Sequence, residues 1–115
     1  MSVPAPTNEQ AVFRALADPT RRTIIGLLAD RSLTVTQVAS HFDMSRPAVA
    51  KHLGILQDGD IICVKAQGRE RVNSLQPMAL KSVSDWLSHY NHFWDEKLSN
   101  LKSAIETQKE QGETP

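Results

Sequence analysis

The sequence predicts a mainly α-helical domain with one small β-hairpin, and three stretches carry that expectation. Thr34 to Gln57, TVTQVASHFDMSRPAVAKHLGILQ, reads as two short amphipathic helices around a tight turn at Asp43-Met44-Ser45. Beyond it, Ile61-Ile62-Cys63-Val64 and Arg71 to Leu75 are β-branched and apolar enough for two strands, joined by the polar Lys65-Ala66-Gln67-Gly68-Arg69-Glu70. From Pro77 to about Gln108 no glycine and no further proline interrupts the chain, which predicts one long helix. Placed in order, these pieces make a helix-turn-helix followed by a hairpin wing and a closing helix, that is, a winged helix-turn-helix.

The whole chain sets bounds on this reading. At 115 residues and 40% hydrophobic composition it is expected to form one domain, too short for two independent cores. Thirteen basic residues balance thirteen acidic ones, so only local clustering of charge is informative about a polyanionic partner. No apolar run approaches the roughly 18 residues of a membrane span. The start, MSVPAPTNEQ, has no basic flank followed by an apolar stretch, so a cytoplasmic location is expected. The lone cysteine, Cys63, excludes an intrachain disulfide and any multi-thiolate metal site within one chain, and it is read as a buried strand thiol.

Residues 1–7, with two prolines and little to bury, are expected to be a flexible arm. Thr7 and Gln10 offer a capping box for a first helix reaching about Leu16. Asp18-Pro19 then supplies an N-cap and a first helical residue for a second helix, in which Ile24, Ile25, Leu27 and Leu28 are apolar on more than one side. Arg21 and Arg22 are expected to orient that helix through ion pairs. Ser32-Leu33-Thr34 reads as a brief extended link. In the helix-turn-helix, Thr34 and Gln37 make a second capping box, and Val35, Val38, Ala39 and Phe42 share one face. Ser45 is the N-cap of the next helix, Pro47 lies in its first turn, and Val49, Leu53 and Leu56 face inward, with His52 beside them as a packed or capping side chain. Asp58-Gly59 marks the turn into the wing. The domain is expected over 8–106, its last helix over about 77–108, and 109–115 as a disordered tail.

The outward face of the second helix carries Arg46, Pro47, Ala50, Lys51 and Gly54, a stripe of small and cationic side chains able to lie close to a groove. From Arg46 to Val72 there are five cations (Arg46, Lys51, Lys65, Arg69, Arg71) and three anions (Asp58, Asp60, Glu70), 5 − 3 = +2 in a neutral chain. Arg46, Ala50 and Lys51 are therefore candidates to touch base edges, with Pro47 beside them. Arg69 and Arg71 are candidates for phosphate or minor-groove contact from the wing, and the Ser45 hydroxyl for phosphate at a helix N-terminus. Along the last helix, Val83, Trp86, Leu87, Tyr90, Phe93, Trp94, Leu98, Leu101 and Ile105 project into an arc of roughly 140°, wider than the ~100° stripe of a surface helix. A second copy burying the same face by two-fold symmetry is the economical answer, which predicts a homodimer.

The run Phe13-Arg14-Ala15-Leu16-Ala17-Asp18-Pro19-Thr20-Arg21-Arg22 leading into Ile24 to Leu28, then Ser45-Arg46-Pro47-Ala48-Val49-Ala50-Lys51-His52-Leu53, Leu56 and the wing around Gly68-Arg69, resembles the ArsR/SmtB winged-helix regulators over about residues 9–105. The resemblance implies a dimeric, cytosolic transcription factor, usually a repressor, that binds double-stranded operator DNA beside its own promoter. It also implies dimerisation through the first and last helices, placing Phe13 with Trp86, Tyr90, Phe93, Trp94, Leu98 and Leu101 at the interface. The family's metal sensors carry a Cys-Val-Cys box on the helix before the recognition helix, where this chain reads Thr36-Gln37-Val38-Ala39-Ser40. A second family metal site uses carboxylates and histidines of the last helix. Here Asp85, His89, His92 and Glu96 have a matching i, i+4, i+7, i+11 spacing but project about 150° from the apolar arc. Neither metal nor cofactor is expected, and the last helix, with Phe93-Trp94-Asp95-Glu96-Lys97-Leu98, looks like the branch lacking the metal box, whose effector the sequence does not name.

Two rival readings remain beside the repressor: a winged helix used for protein contacts, and a metal-sensing repressor using the His, Asp and Glu side chains of the last helix. No glycine-rich phosphate loop, nucleophile motif or acid/base carboxylate pair supports an enzyme.

Overall fold

The computed structural model of the chain describes residues 8–112, in two units that divide between Val83 and Ser84. The expected arm over 1–7, the Thr7 cap and residues 113–115 of the expected tail lie outside the described residues. The first unit holds helices α1 (Asn8–Leu16), α2 (Pro19–Asp30), α3 (Val35–Ala39) and α4 (Arg46–Asp58). With them is an antiparallel sheet of β1 (Leu33–Thr34), β2 (Ile62–Gln67) and β3 (Glu70–Leu75), in the order β1-β3-β2.

The helix starts follow from local chemistry. Asp18 caps α2 by accepting from Thr20 N at 2.8 Å, with Pro19 as first helical residue. At α3 the capping box is complete: Gln37 N donates to Thr34 Oγ1 (3.2 Å) and Thr34 N to Gln37 Oε1 (2.9 Å). The two arginines of α2 do more than pair with carboxylates. Arg21 donates to the carbonyls of Arg14 and Ala15 (both 2.9 Å) and Arg22 to that of Leu16 (2.6 Å). They thereby satisfy the last three carbonyls of α1, which have no partner within their own helix. Among the described residues, the ion pairing expected of these arginines is seen as Arg21 to Asp18, at 3.4 Å.

Helix α3 stops at Ala39, so Phe42 belongs to the turn rather than to the helix. The Gln37 carbonyl, which a longer helix would offer to His41 N, instead accepts from Ser40 Oγ (2.6 Å) and contacts His41 Nδ1 (2.9 Å). The backbone tightens accordingly, with His41 N bonded to Val38 O and Phe42 N to Ala39 O, both 3.1 Å. The far end of α4 closes with a Schellman motif, Ile61 N to Leu56 O (3.0 Å) and Asp60 N to Gln57 O (2.9 Å). Asp60, at φ 56°, takes the left-handed position that the motif needs. Gly59 serves a different purpose: a Cβ there would stand 3.2 Å from Ala11 O and 3.3 Å from Val12 N, so α1 packs directly on its backbone.

The wing is longer than the sequence suggested. Strand pairing runs from Ile62 opposite Leu75 to Gln67 opposite Glu70, leaving only Gly68 and Arg69 as the loop. Gly68 has φ 62°, the left-handed angle that a two-residue hairpin requires of its first loop residue. The supposed link before α3 is a third strand, Leu33 opposite Asn73 and Thr34 opposite Val72. Buried Asn73 supports it by donating from Nδ2 to Leu33 O at 3.2 Å. Strand alternation sends Ile62 inward and leaves Cys63 only half-buried, not fully buried as expected.

The core joins Val12 and Ala15 of α1, Ile24 and Leu28 of α2, Leu33, Val38, the α4 face Val49-Leu53-Leu56, and Ile61 with Ile62. Each large member contributes about 1.5–3 kcal/mol by leaving water. Ala79, Leu80 and Val83 pack on its margin.

The single helix expected over about 77–108 is three pieces: a 3₁₀ turn (Pro77–Leu80), α5 (Lys81–Ser88) and α6 (Asn91–Gly112). At His89 and Tyr90 the amides bond back three residues, to Trp86 O (3.2 Å) and Leu87 O (3.0 Å). No glycine or proline marks the break. Ser88-His89-Tyr90-Asn91-His92 is a run of weak helix formers, and nothing in the run favours continuing the wider ladder. Helix α6 runs on to Gly112, past the helix end expected at about 108.

Candidate nucleic-acid interface

Helix α4 presents two faces. Val49, Leu53 and Leu56 are at most 4% exposed, while Arg46, Pro47, Ala50 and Lys51 lie in solvent. Its N-terminus is held by Ser45, whose Oγ accepts from Ala48 N at 3.3 Å and whose carbonyl accepts from Val49 N at 3.1 Å. The exposed end of α4 therefore combines free amide dipole with a cationic side chain, a setting favourable to anions.

The fold brings the wing to that end. Arg46, Arg69 and Arg71 line one recess of about 370 Å³, closed on its other side by Thr34, Val35 and Thr36 at the start of α3. The lining thus carries three arginines and one acidic residue, Glu70. A smaller recess of about 150 Å³ continues along α4 past Ala50, Leu53, Gly54 and Gln57, with Val64, Arg71 and Asn73 on the wing side. Arg71 borders both. Of the residues singled out from the sequence, Arg46, Arg69, Arg71 and Ala50 thus meet between helix and wing. Ser45, Pro47 and Lys51 stay on the open side of α4, outside both recesses.

Sequence reasoning had not placed Thr36, Glu70 or Gln57 at this surface. Thr36 arrives because β1 pairs with β3, which sets the start of α3 beside the wing. The chain positions of Arg46 and Arg71, 25 residues apart, give no sign of that juxtaposition.

The second unit presents a different surface. Every side chain described from Ser84 to Lys109 is exposed. Trp86 and Tyr90 meet edge to face with centroids 5.4 Å apart, and Trp86, Leu87, Tyr90, Phe93 and Trp94 line an apolar recess of about 250 Å³. The Lys97 ammonium sits 5.1 Å from the centre of the Phe93 ring. Leu98 and Leu101 continue the apolar surface along α6, while Phe13 lies half-buried on α1 in the first unit. Asp85 lies on α5, His89 in the break itself, and His92 and Glu96 on α6, so the four do not share one unbroken helix. Among the described residues no three His, Cys, Asp or Glu side chains converge as a metal site. Among them, too, no helix is long and apolar enough to cross a membrane.

Comparison with known proteins places this arrangement. Residues 16–64 match a family described as a helix-turn-helix domain. The chain is 33% identical over 87 residues to the transcriptional repressor SdpR of Bacillus subtilis, covering 76% of this chain and 97% of that protein. It is 34% identical over 96 residues to the HTH-type transcriptional regulator Rv2034 of Mycobacterium tuberculosis, covering 84% and 87%. The crystal structure of an ArsR family transcriptional regulator, RHA00566, superposes with a TM-score of 0.71 at 34% identity, over 82% of this chain and 97% of that one. The chain belongs to the ArsR/SmtB family of winged helix-turn-helix transcriptional regulators.

Proposed function

We propose that this regulator is a homodimeric, sequence-specific repressor that binds a palindromic operator in the cytoplasm, includes its own promoter among its targets, and is not controlled by metal through a cysteine box. The observation that carries the DNA-binding half is the meeting of Arg46, Arg69 and Arg71 around one recess beside the open face of α4. Long cations at that edge suit phosphates, while Pro47, Ala50 and Lys51 offer a low profile toward base edges. Repression draws support from the kinship with SdpR, itself named a transcriptional repressor. The reading without cysteine-box control is supported by Thr36-Gln37-Val38-Ala39-Ser40, which holds no thiol where the family's metal sensors carry theirs.

The dimer is supported by the exposed aromatic and aliphatic side chains of the last helices, with Phe13 of α1 as a further contact. Two recognition helices in successive major grooves would then read half-sites about 10 base pairs apart or a small multiple of that. The deciding experiment is a titration of the DNA upstream of its gene across salt concentrations. Binding is expected to weaken linearly on a log–log plot, by about 0.9 per phosphate contacted. A slope near zero, or no binding, overturns the reading in favour of a winged helix used for protein contacts.

A further inference from the structure

Three helices meet at one guanidinium. Arg21 Nε donates to Ala15 O and Nη2 to Arg14 O, both at 2.9 Å, while Nη1 lies 3.4 Å from Asp18 Oδ2 and 3.2 Å from His52 Nδ1. Asp18 is itself fixed as the N-cap of α2 through its other oxygen. The group is well covered, with the Arg21 side chain 11% exposed and His52 21%. A guanidinium has donors only, so the short contact requires His52 Nδ1 to accept and Nε2 to carry the proton. His52 Nδ1 is also 3.6 Å from Asp18 Oδ2. A proton on Nδ1 directed there would set donor against donor at Arg21.

His52 stands on α4 between exposed Lys51 and buried Leu53. The apolar contacts of Val49, Leu53 and Leu56 hold α4 on the core but are non-directional, whereas a hydrogen bond fixes an angle. We propose that His52 is a positioning residue: by accepting Arg21 Nη1–H it sets the rotation of α4 about its axis, and so the direction in which Arg46, Ala50 and Lys51 meet DNA. This rests on the reading of α4 as the DNA-reading helix. Base-edge pairing tolerates errors of only about 0.5 Å or 10–20°, while flexible cations on phosphates tolerate more, so loss of the contact affects specific binding first.

The test uses the full chain and two duplexes of equal length, one enriched by the wild type from a randomised pool and one shuffled. His52→Ala is expected to weaken the enriched duplex about tenfold or more and the shuffled one by less than about twofold. His52→Asn, whose Oδ1 replaces Nδ1 as acceptor, is expected to restore binding to within about threefold of wild type. His52→Gln carries its carbonyl one bond further out and is expected to behave like alanine, so the asparagine and glutamine variants decide the matter even if the alanine variant fails to fold. Wild-type affinity in His52→Ala, or equal losses in the asparagine and glutamine variants, overturns the role of His52. A wild type that enriches no duplex overturns the DNA-reading of α4 and this role with it.

Discussion

Arg22 sits on an exposed turn of α2 and looks from its type like a solvated cation, yet its Nη1 closes the Leu16 carbonyl at 2.6 Å. The pair Arg21-Arg22 is thus explained by the geometry of two consecutive helices, the second supplying donors for the open end of the first. Gly59 and Asp60 divide a task that a sequence reader assigns to glycine alone. Asp60 bears the left-handed backbone, and Gly59 makes room for α1. Gly59 itself has φ −88° and ψ 5°, which alanine adopts freely, so Gly59→Ala isolates the steric term. The obstructing atoms are backbone atoms of α1 that cannot swing aside, and a loss of about 1–3 kcal/mol in urea unfolding is expected. An unchanged midpoint would show that α1 shifts at no cost. On the DNA side, Arg46→Ala is expected to relax base preference at one position of each half-site, by about 1–3 kcal/mol, and Arg69→Ala to weaken all sequences alike. Competition binding against single-base variants of the operator separates the two.

At the scale of elements, whatever depends on neighbours three or four residues apart was legible in advance. The Thr34/Gln37 box, the Asp18-Pro19 start, the Ser45 cap and the inward Val49-Leu53-Leu56 face all stand where their spacing put them. What escaped depends on partners far along the chain or on weak preferences. Strand β1 exists only because β3 passes beside it some 40 residues later, and Leu33-Thr34 alone has no strand pattern to read. The break between α5 and α6 involves no glycine or proline, so the usual punctuation was missing. The meeting of Arg46 with Arg69 and Arg71 needed the wing's register, which no local motif encodes. Within α4, Gly54 lowers helix propensity, and a Cβ there would meet nothing within 4 Å. Gly54→Ala should therefore raise stability by about 1 kcal/mol, read as a higher thermal midpoint. A fall instead would mean that the recess beside Gly54 must stay open for the wing to close.

For the whole molecule the main unresolved quantity of free energy lies in the last two helices. Trp86, Leu87, Tyr90, Phe93, Trp94, Leu98, Leu101 and Ile105 are 44–60% exposed, far more apolar surface in one stretch than a soluble chain leaves bare without use. The sequence indicated this surplus through the width of the apolar arc, although it drew the arc on one unbroken helix. None of these side chains belongs to the buried core of the first unit, so a charge placed among them is not expected to disturb the DNA-binding domain. In the proposed dimer, Trp94→Glu and Leu98→Glu are accordingly expected to sediment as monomers at concentrations where the wild type is expected to sediment as a dimer. Each should keep the wild-type helical circular dichroism of the first unit, and each should lose most of its operator affinity, because one half-site supplies only half of the contacts. A dimer that survives both substitutions moves the interface away from α6, and a monomer that still binds the full operator as tightly as wild type removes the two-fold arrangement from the mechanism.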